Sequence, residues 1–160
     1  GKDFNLSNCG MHAMDIMRME SGFLHWGHDI SPEENQYQAG LAFTISNKKD
    51  VDFIGKQALE KIKKEKQKSR FATFTLKESE PGKPLLLHDE PIYIDNKIIG
   101  RSTSGNYSFN FKKNLVFGYI ENNLSNEELQ TKNLFIEVEK HKYPISVQLE
   151  PLKRTNFKNL

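Results

Sequence analysis

One cysteine stands in 160 residues, so Cys9 has no intrachain partner and no disulfide frames the fold. Such sparing use of cysteine favours a cytoplasmic setting, or a mitochondrial matrix in a eukaryote. No apolar run approaches the roughly 20 residues of a membrane-spanning helix, so no membrane partner is expected. Neither sign of charge dominates. Lys and Arg total 23, Asp and Glu total 21, and the net charge is +2. That balance gives no electrostatic ground for a nucleic-acid or anionic-membrane partner. Residues 1–8 lack a charged head followed by an apolar run, so no signal peptide is expected. The initiator Met is also missing. Gly1 marks either a scar of tag removal or a fragment, and a fragment leaves chemistry upstream. No Ser–His–Asp or Cys–His arrangement stands out either. What remains suits a soluble globular chain of one domain or two small ones, with 36% hydrophobic and 28% charged residues.

The most informative stretch is Gly10 to Ile30, GMHAMDIMRMESGFLHWGHDI. A helix is expected from Asn8 to Ser21, with Ser7 or Asn8 as cap and Gly22 as left-handed stop. At about 100° per residue, His12, Asp15 and Arg18 share a polar sector. Glu20 falls roughly opposite Arg18, in the apolar stripe with Cys9, Ala13, Ile16 and Met17. Cys9 is therefore expected in the core rather than as a nucleophile. An ionised carboxylate on an apolar face costs several kcal/mol unless it is paired. Two readings of Glu20 stay open. It points to water from a frayed last turn, or it accepts hydrogen bonds from a flat, nitrogen-rich ligand.

His25 to Asn35 is expected to be a loop, since Pro32 forces the preceding residues out of regular helix. Its H-W-G-H-D run could offer metal ligands. Gly27 and Pro32 oppose the helix that would align them, so loop histidines are the expectation. Gly40 to Ser46, GLAFTIS, alternates like a strand, and Asn47 to Asp52 reads as a turn. A helix from about Gly55 to Gln67 carries Phe53, Ile54, Ala58, Leu59 and Ile62 as its stripe. Its lysines, interrupted by Glu60 and Glu65, form a solvated face. From Arg70 the texture becomes all-β. Arg70–Leu76, Pro91–Ile94, Lys97–Ile99, Asn114–Ile120, Leu134–Glu139 and Tyr143–Leu149 read as strands. A hairpin is expected at Asp95-Asn96. Gly100 to Tyr107, GRSTSGNY, lacks the lysine of a phosphate loop and reads as a strand that turns at Gly105. The fold class is α+β, ending in a small antiparallel β-barrel.

Four runs, in order, resemble the aminomethyltransferase family. That family includes the glycine-cleavage T-protein and the C-terminal parts of dimethylglycine and sarcosine dehydrogenases. The first is A-x-D-x-x-R-x-E-x-G at Ala13, Asp15, Arg18, Glu20 and Gly22. The others are W-G-x-D-I at Trp26 to Ile30, D-F-I-G-K-Q-A-L at Asp52 to Leu59, and G-R-S-T-S-G at Gly100 to Gly105. They span about Cys9 to Pro151. Trp26, H-W-G-H-D and A-G-L-A-F look more like the dehydrogenase-linked branch.

The resemblance implies that residues 1–68 end a folate-binding domain and that residues 69–155 are the terminal barrel. It implies transfer of a one-carbon unit from a methylated amine or aminomethyl donor to tetrahydrofolate, the acceptor. The alternatives are the folate domain of a flavin-dependent dehydrogenase and a non-catalytic folate-binding module. The family's Glu of R-x-E pairs with the pterin edge, which would supply a partner for Glu20. Folate contacts are implied for Glu20, Trp26 and Lys48 or Lys49. The family usually has Arg where Lys48 or Lys49 stands, and Lys offers a point charge rather than a planar fork. The family's catalytic Asp lies upstream of these residues, as would any FAD domain. The implied partners are folate and an upstream half of the same polypeptide.

Overall fold

The computed structural model describes residues 1–45, 52–149 and 152. The chain is α+β, and its larger part is a closed antiparallel barrel. The strands are β1 (Ser69–Leu76), β2 (Pro91–Ile94), β3 (Lys97–Ser108), β4 (Lys113–Glu121), β5 (Leu134–Val138) and β6 (His141–Gln148). They bond in the order β1-β4-β3-β2-β5-β6, and β6 closes on β1. Closure leaves no open sheet edge. Period-two alternation fills the interior with Phe74, Ile92, Ile99, Val116, Ile136 and Ile145. The hairpin at Asp95-Asn96 joins β2 to β3, with Asp95 at φ 52.

β3 runs straight through Gly105, which pairs with Val116, so the expected turn is absent. The glycine serves a close approach instead. A Cβ at Gly105 would stand 2.4 Å from the Leu86 Cβ. A short helix, α3 (Asn126–Thr131), was not expected. Its capping box is complete. The Glu128 N–H donates to Ser125 Oγ at 3.1 Å, and the Ser125 N–H donates to Glu128 Oε2 at 2.8 Å. Leu129 of this helix packs into the barrel core.

Before the barrel come α1 (Met11–Glu20) and α2 (Lys56–Lys64). β4 is buried on both faces because α1 lies on its outer side. Val116 and Ile120 point into the barrel, while Leu115 and Phe117 pack against Ile16 and Met19. α1 starts later than expected, at Met11, and Gly10 caps it without a side chain. Cys9 therefore lies outside the helix and is exposed, not in the core. The stop at Gly22 is as expected, at φ 75. The Gly22 N–H reaches Met19 O at 3.0 Å and the Phe23 N–H reaches Arg18 O at 2.9 Å, closing a Schellman motif.

α2 ends at Lys64 rather than Gln67 and buries no residue; Leu59 and Ile62 are half-buried. The strand expected at Gly40 to Ser46 is not formed in its described part. Ala42–Thr44 is a 3-10 turn with Phe43 83% exposed. Alternation makes a strand only where a neighbouring strand takes up the backbone groups, and no described strand lies beside this one. Nearly all of the expected turn at Asn47 to Asp52 lies outside the described residues. No described helix is long and apolar enough to cross a membrane.

Candidate functional site

Glu20, the last residue of α1, is 4% exposed. That removes the reading in which it points to water. Its carboxylate lies against the far end of β3. Asn110 Nδ2 donates to Oε2 at 2.7 Å, and the Ser108 hydroxyl donates to Oε1. Ser108 Oγ is itself held by the Phe111 N–H at 3.0 Å. The carboxylate on the apolar face is thus met by two neutral donors of the barrel, which offsets its desolvation. Neither Ser108 nor Asn110 was singled out from the sequence, because both lie about 90 residues away.

Of the polar sector of α1, Asp15 and Arg18 are partly buried against the barrel side, while His12 stays exposed. Arg18 Nε and Nη2 donate to Asp15 Oδ1 at 2.8 and 2.6 Å, and Nη2 also donates to Ser104 Oγ at 2.7 Å. Arg18 Nη1 pairs with Asp29. The Arg18 guanidinium also lies over the Phe117 ring, 5.5 Å from its centroid. Asp29 is 1% exposed and is the hub of this network. It accepts from Thr103 Oγ1, from Ser104 Oγ at 2.8 Å and from the His25 N–H at 2.9 Å.

In regular strand geometry, adjacent Thr103 and Ser104 would face opposite sides. The register shift of β3 between Ser102 and Ser104 aims both hydroxyls at one carboxylate. The Tyr119 hydroxyl donates to the Asp29 carbonyl at 2.8 Å. Burial, then the nearby Glu34 and Asp29 carboxylates, push its phenol above the ordinary value of 10.0.

Trp26 sits in the loop after α1, 65% exposed, with a bridge to Ile30. Lys48 and Lys49 lie outside the described residues. The structure thus brings Glu20 to the end of β3, with Trp26 on the loop that leads to Asp29. A cavity of about 480 Å³ opens on the Met11–Asp15–Arg18 side of α1, away from Glu20, and His12, His25, His28 and His88 line it. Among the described residues, no group of three or more His, Cys, Asp or Glu has the geometry to hold a metal ion.

The sequence matches the family model of the GCVT N-terminal domain over residues 1–49. It matches that of the glycine cleavage T-protein C-terminal barrel domain over residues 70–153. The chain belongs to the glycine cleavage T-protein family. It is 34% identical over 155 residues to mitochondrial dimethylglycine dehydrogenase of Homo sapiens, a match covering 97% of this chain and 17% of that protein. It is 32% identical over 120 residues to aminomethyltransferase of Symbiobacterium thermophilum, covering 75% of this chain and 31% of that one. The chain therefore spans less than a third of these relatives. Aminomethyltransferase T of the Bartonella henselae glycine cleavage system has the same fold. The TM-score is 0.72 at 22% identity, covering 89% of this chain and 38% of that structure. In this member of the T-protein family, three separated runs meet in one buried network. R-x-E contributes Arg18, W-G-x-D-I contributes Asp29, and T-S-G contributes Ser104 with Thr103 before Gly105.

Proposed function

We infer that this chain is the tetrahydrofolate-binding, C-terminal part of an aminomethyltransferase-type enzyme. The parent enzyme moves a one-carbon unit from a methylated amine or an aminomethyl donor to tetrahydrofolate. One observation carries the reading: the Arg18–Asp29–Thr103–Ser104 network fixes α1 on the barrel and so fixes the Glu20 carboxylate at its end. In this reading Glu20 accepts from the adjacent N–H donors of the pterin, with Ser108 and Asn110 orienting it. Such a carboxylate makes charge-assisted bonds in a site shielded from water. Trp26 offers an exposed aromatic face on the same loop system. Lys48 or Lys49 supplies a point charge for the folate tail. Tetrahydrofolate supplies the nitrogen chemistry that accepts the one-carbon unit, and the acid that assists transfer belongs to an upstream half of the polypeptide.

A second reading is the folate domain of a flavin-dependent dimethylglycine or sarcosine dehydrogenase, with FAD held upstream. The match to dimethylglycine dehydrogenase over 97% of the chain favours it. An upstream flavin domain in the coding sequence selects this reading. An upstream segment that lacks the family's acid selects a non-catalytic folate-binding module.

Heat denaturation of the full polypeptide with and without tetrahydrofolate tests the shared claim. A ligand at 100 times its Kd stabilises by about 2.7 kcal/mol, so the midpoint rises with concentration. A midpoint that does not move up to millimolar tetrahydrofolate contradicts folate binding.

A further inference from the structure

We propose that Asn110 is a specificity-determining residue of the folate site: its side-chain amide holds the place of the pterin N–H edge on Glu20 and gives it up when the ligand arrives. This rests on the reading of Glu20 as the pterin's acceptor. The Glu20 carboxylate is 4% exposed, so a ligand reaches its oxygens only where a present neighbour gives way. Ser108 and Asn110 bond to different oxygens of it and differ in how firmly they are held. Ser108 is the last residue of β3 and is 0% exposed, and its Oγ also accepts from the Phe111 N–H at 3.0 Å. Moving it breaks two bonds at the end of the barrel and takes that acceptor from Phe111. Asn110 stands in the exposed turn 109–112 between β3 and β4. Among the described residues its side chain bonds to Glu20 alone, Nδ2 to Oε2 at 2.7 Å. Released from Glu20, it turns to water, which replaces the lost bond. Asn110 therefore marks the solvent side of the carboxylate.

A primary amide and the amino group of a pterin are donors of one kind, each a neutral, planar N–H on a conjugated nitrogen. In the free protein the amide keeps the Oε2 side of a buried carboxylate aimed and satisfied. Exchange then sets a threshold. A pterin edge brings two adjacent N–H donors and displaces one, so the carboxylate gains a bond. A ligand with a single such donor exchanges like for like and gains nothing at Glu20. Asn110 thus favours ligands with an amidine-like N–C–N edge over those with a lone amine or amide.

The test is titration calorimetry of tetrahydrofolate on the full polypeptide, comparing wild type with Asn110→Ala and Ser108→Ala. Asn110→Ala should bind about tenfold more tightly, since no protein bond is surrendered, a gain the size of one hydrogen bond. Ser108→Ala should bind more weakly, because Ser108 stays on Glu20 in the complex. Two partners of one carboxylate then shift affinity in opposite directions, whereas a purely structural role lowers it in both variants. Asn110→Ala changes an exposed turn residue and keeps the fold, so it decides alone where Ser108→Ala fails to fold. Without ligand its denaturation midpoint should fall, because Glu20 loses a donor, and an unchanged midpoint overturns the proposal. Wild-type binding with Asn110→Ala equal or weaker overturns the exchange and leaves the folate reading standing. Absence of binding by wild type and Asn110→Ala alike overturns both.

Discussion

At the residue scale, the oddity legible in the sequence was Glu20 on an apolar stripe, and its burial is real. Its immediate partners were not legible. Ser108 and Asn110 lie about 90 residues away, and no local periodicity points to them. Arg18 and Asp29 were visible as motif residues, but the helical wheel gave Arg18 only a polar sector, and its partners Asp29 and Ser104 come from the loop and the barrel. Asp29→Asn leaves Arg18 short of a carboxylate in that network. Breaking a buried pair costs about 3–5 kcal/mol, and the remaining Asp15 contact places this loss near the lower end. Chemical denaturation should report it, and a loss below about 0.5 kcal/mol, within the scatter of surface changes, contradicts the hub role. Tyr119 gives a pH signature. Its phenol is raised by burial and by Glu34 and Asp29, so the folded state favours the neutral form. That contribution is complete below the unfolded phenol value of 10.0 and is lost as pH rises beyond it. Stability should therefore fall above about pH 10, and Tyr119→Phe should flatten that fall.

At the element scale, the strands were legible as short apolar segments bounded by turn residues, with period-two alternation clearest in β5, whereas β4 is apolar on both faces. The strand expected at Gly40 to Ser46 alternates too, but has no described strand to pair with. α3 was missed although its signal was present, since Ser125 and Glu128 stand in the S-x-x-E spacing of a capping box. Replacing Ser125 by Ala removes the cap and should cost about 0.5–2 kcal/mol, read as a lower denaturant midpoint with an unchanged slope. The passage of β3 through Gly105 was misread for a different reason. A glycine that admits a neighbouring side chain looks the same in sequence as one that makes a turn. Gly105→Ala drives a methyl group into Leu86 and should destabilise by about 1–3 kcal/mol. A neutral result contradicts the close approach.

At the scale of the whole molecule, the barrel is closed and has its own core, while α1 leaves Met11, Met14 and Met17 exposed, and the segment before α2 leaves Phe53 and Ile54 exposed. Such apolar side chains on the N-terminal part fit a polypeptide with an upstream half packed over them. The 160 residues alone should then give no turnover of a methylamine donor with tetrahydrofolate, and measurable turnover contradicts that division of labour. The central claim is that the barrel and α1 together hold a carboxylate for the pterin. Titration calorimetry of tetrahydrofolate on the full polypeptide tests it most directly, comparing wild type with a folded Glu20→Gln variant. Removing one partner of a shielded charge-assisted pair costs about 2–5 kcal/mol, so affinity should drop from about 30-fold to several thousand-fold. Binding of Glu20→Gln within about threefold of wild type, near 0.6 kcal/mol, contradicts the account and leaves Glu20 as a structural tie between α1 and the end of β3.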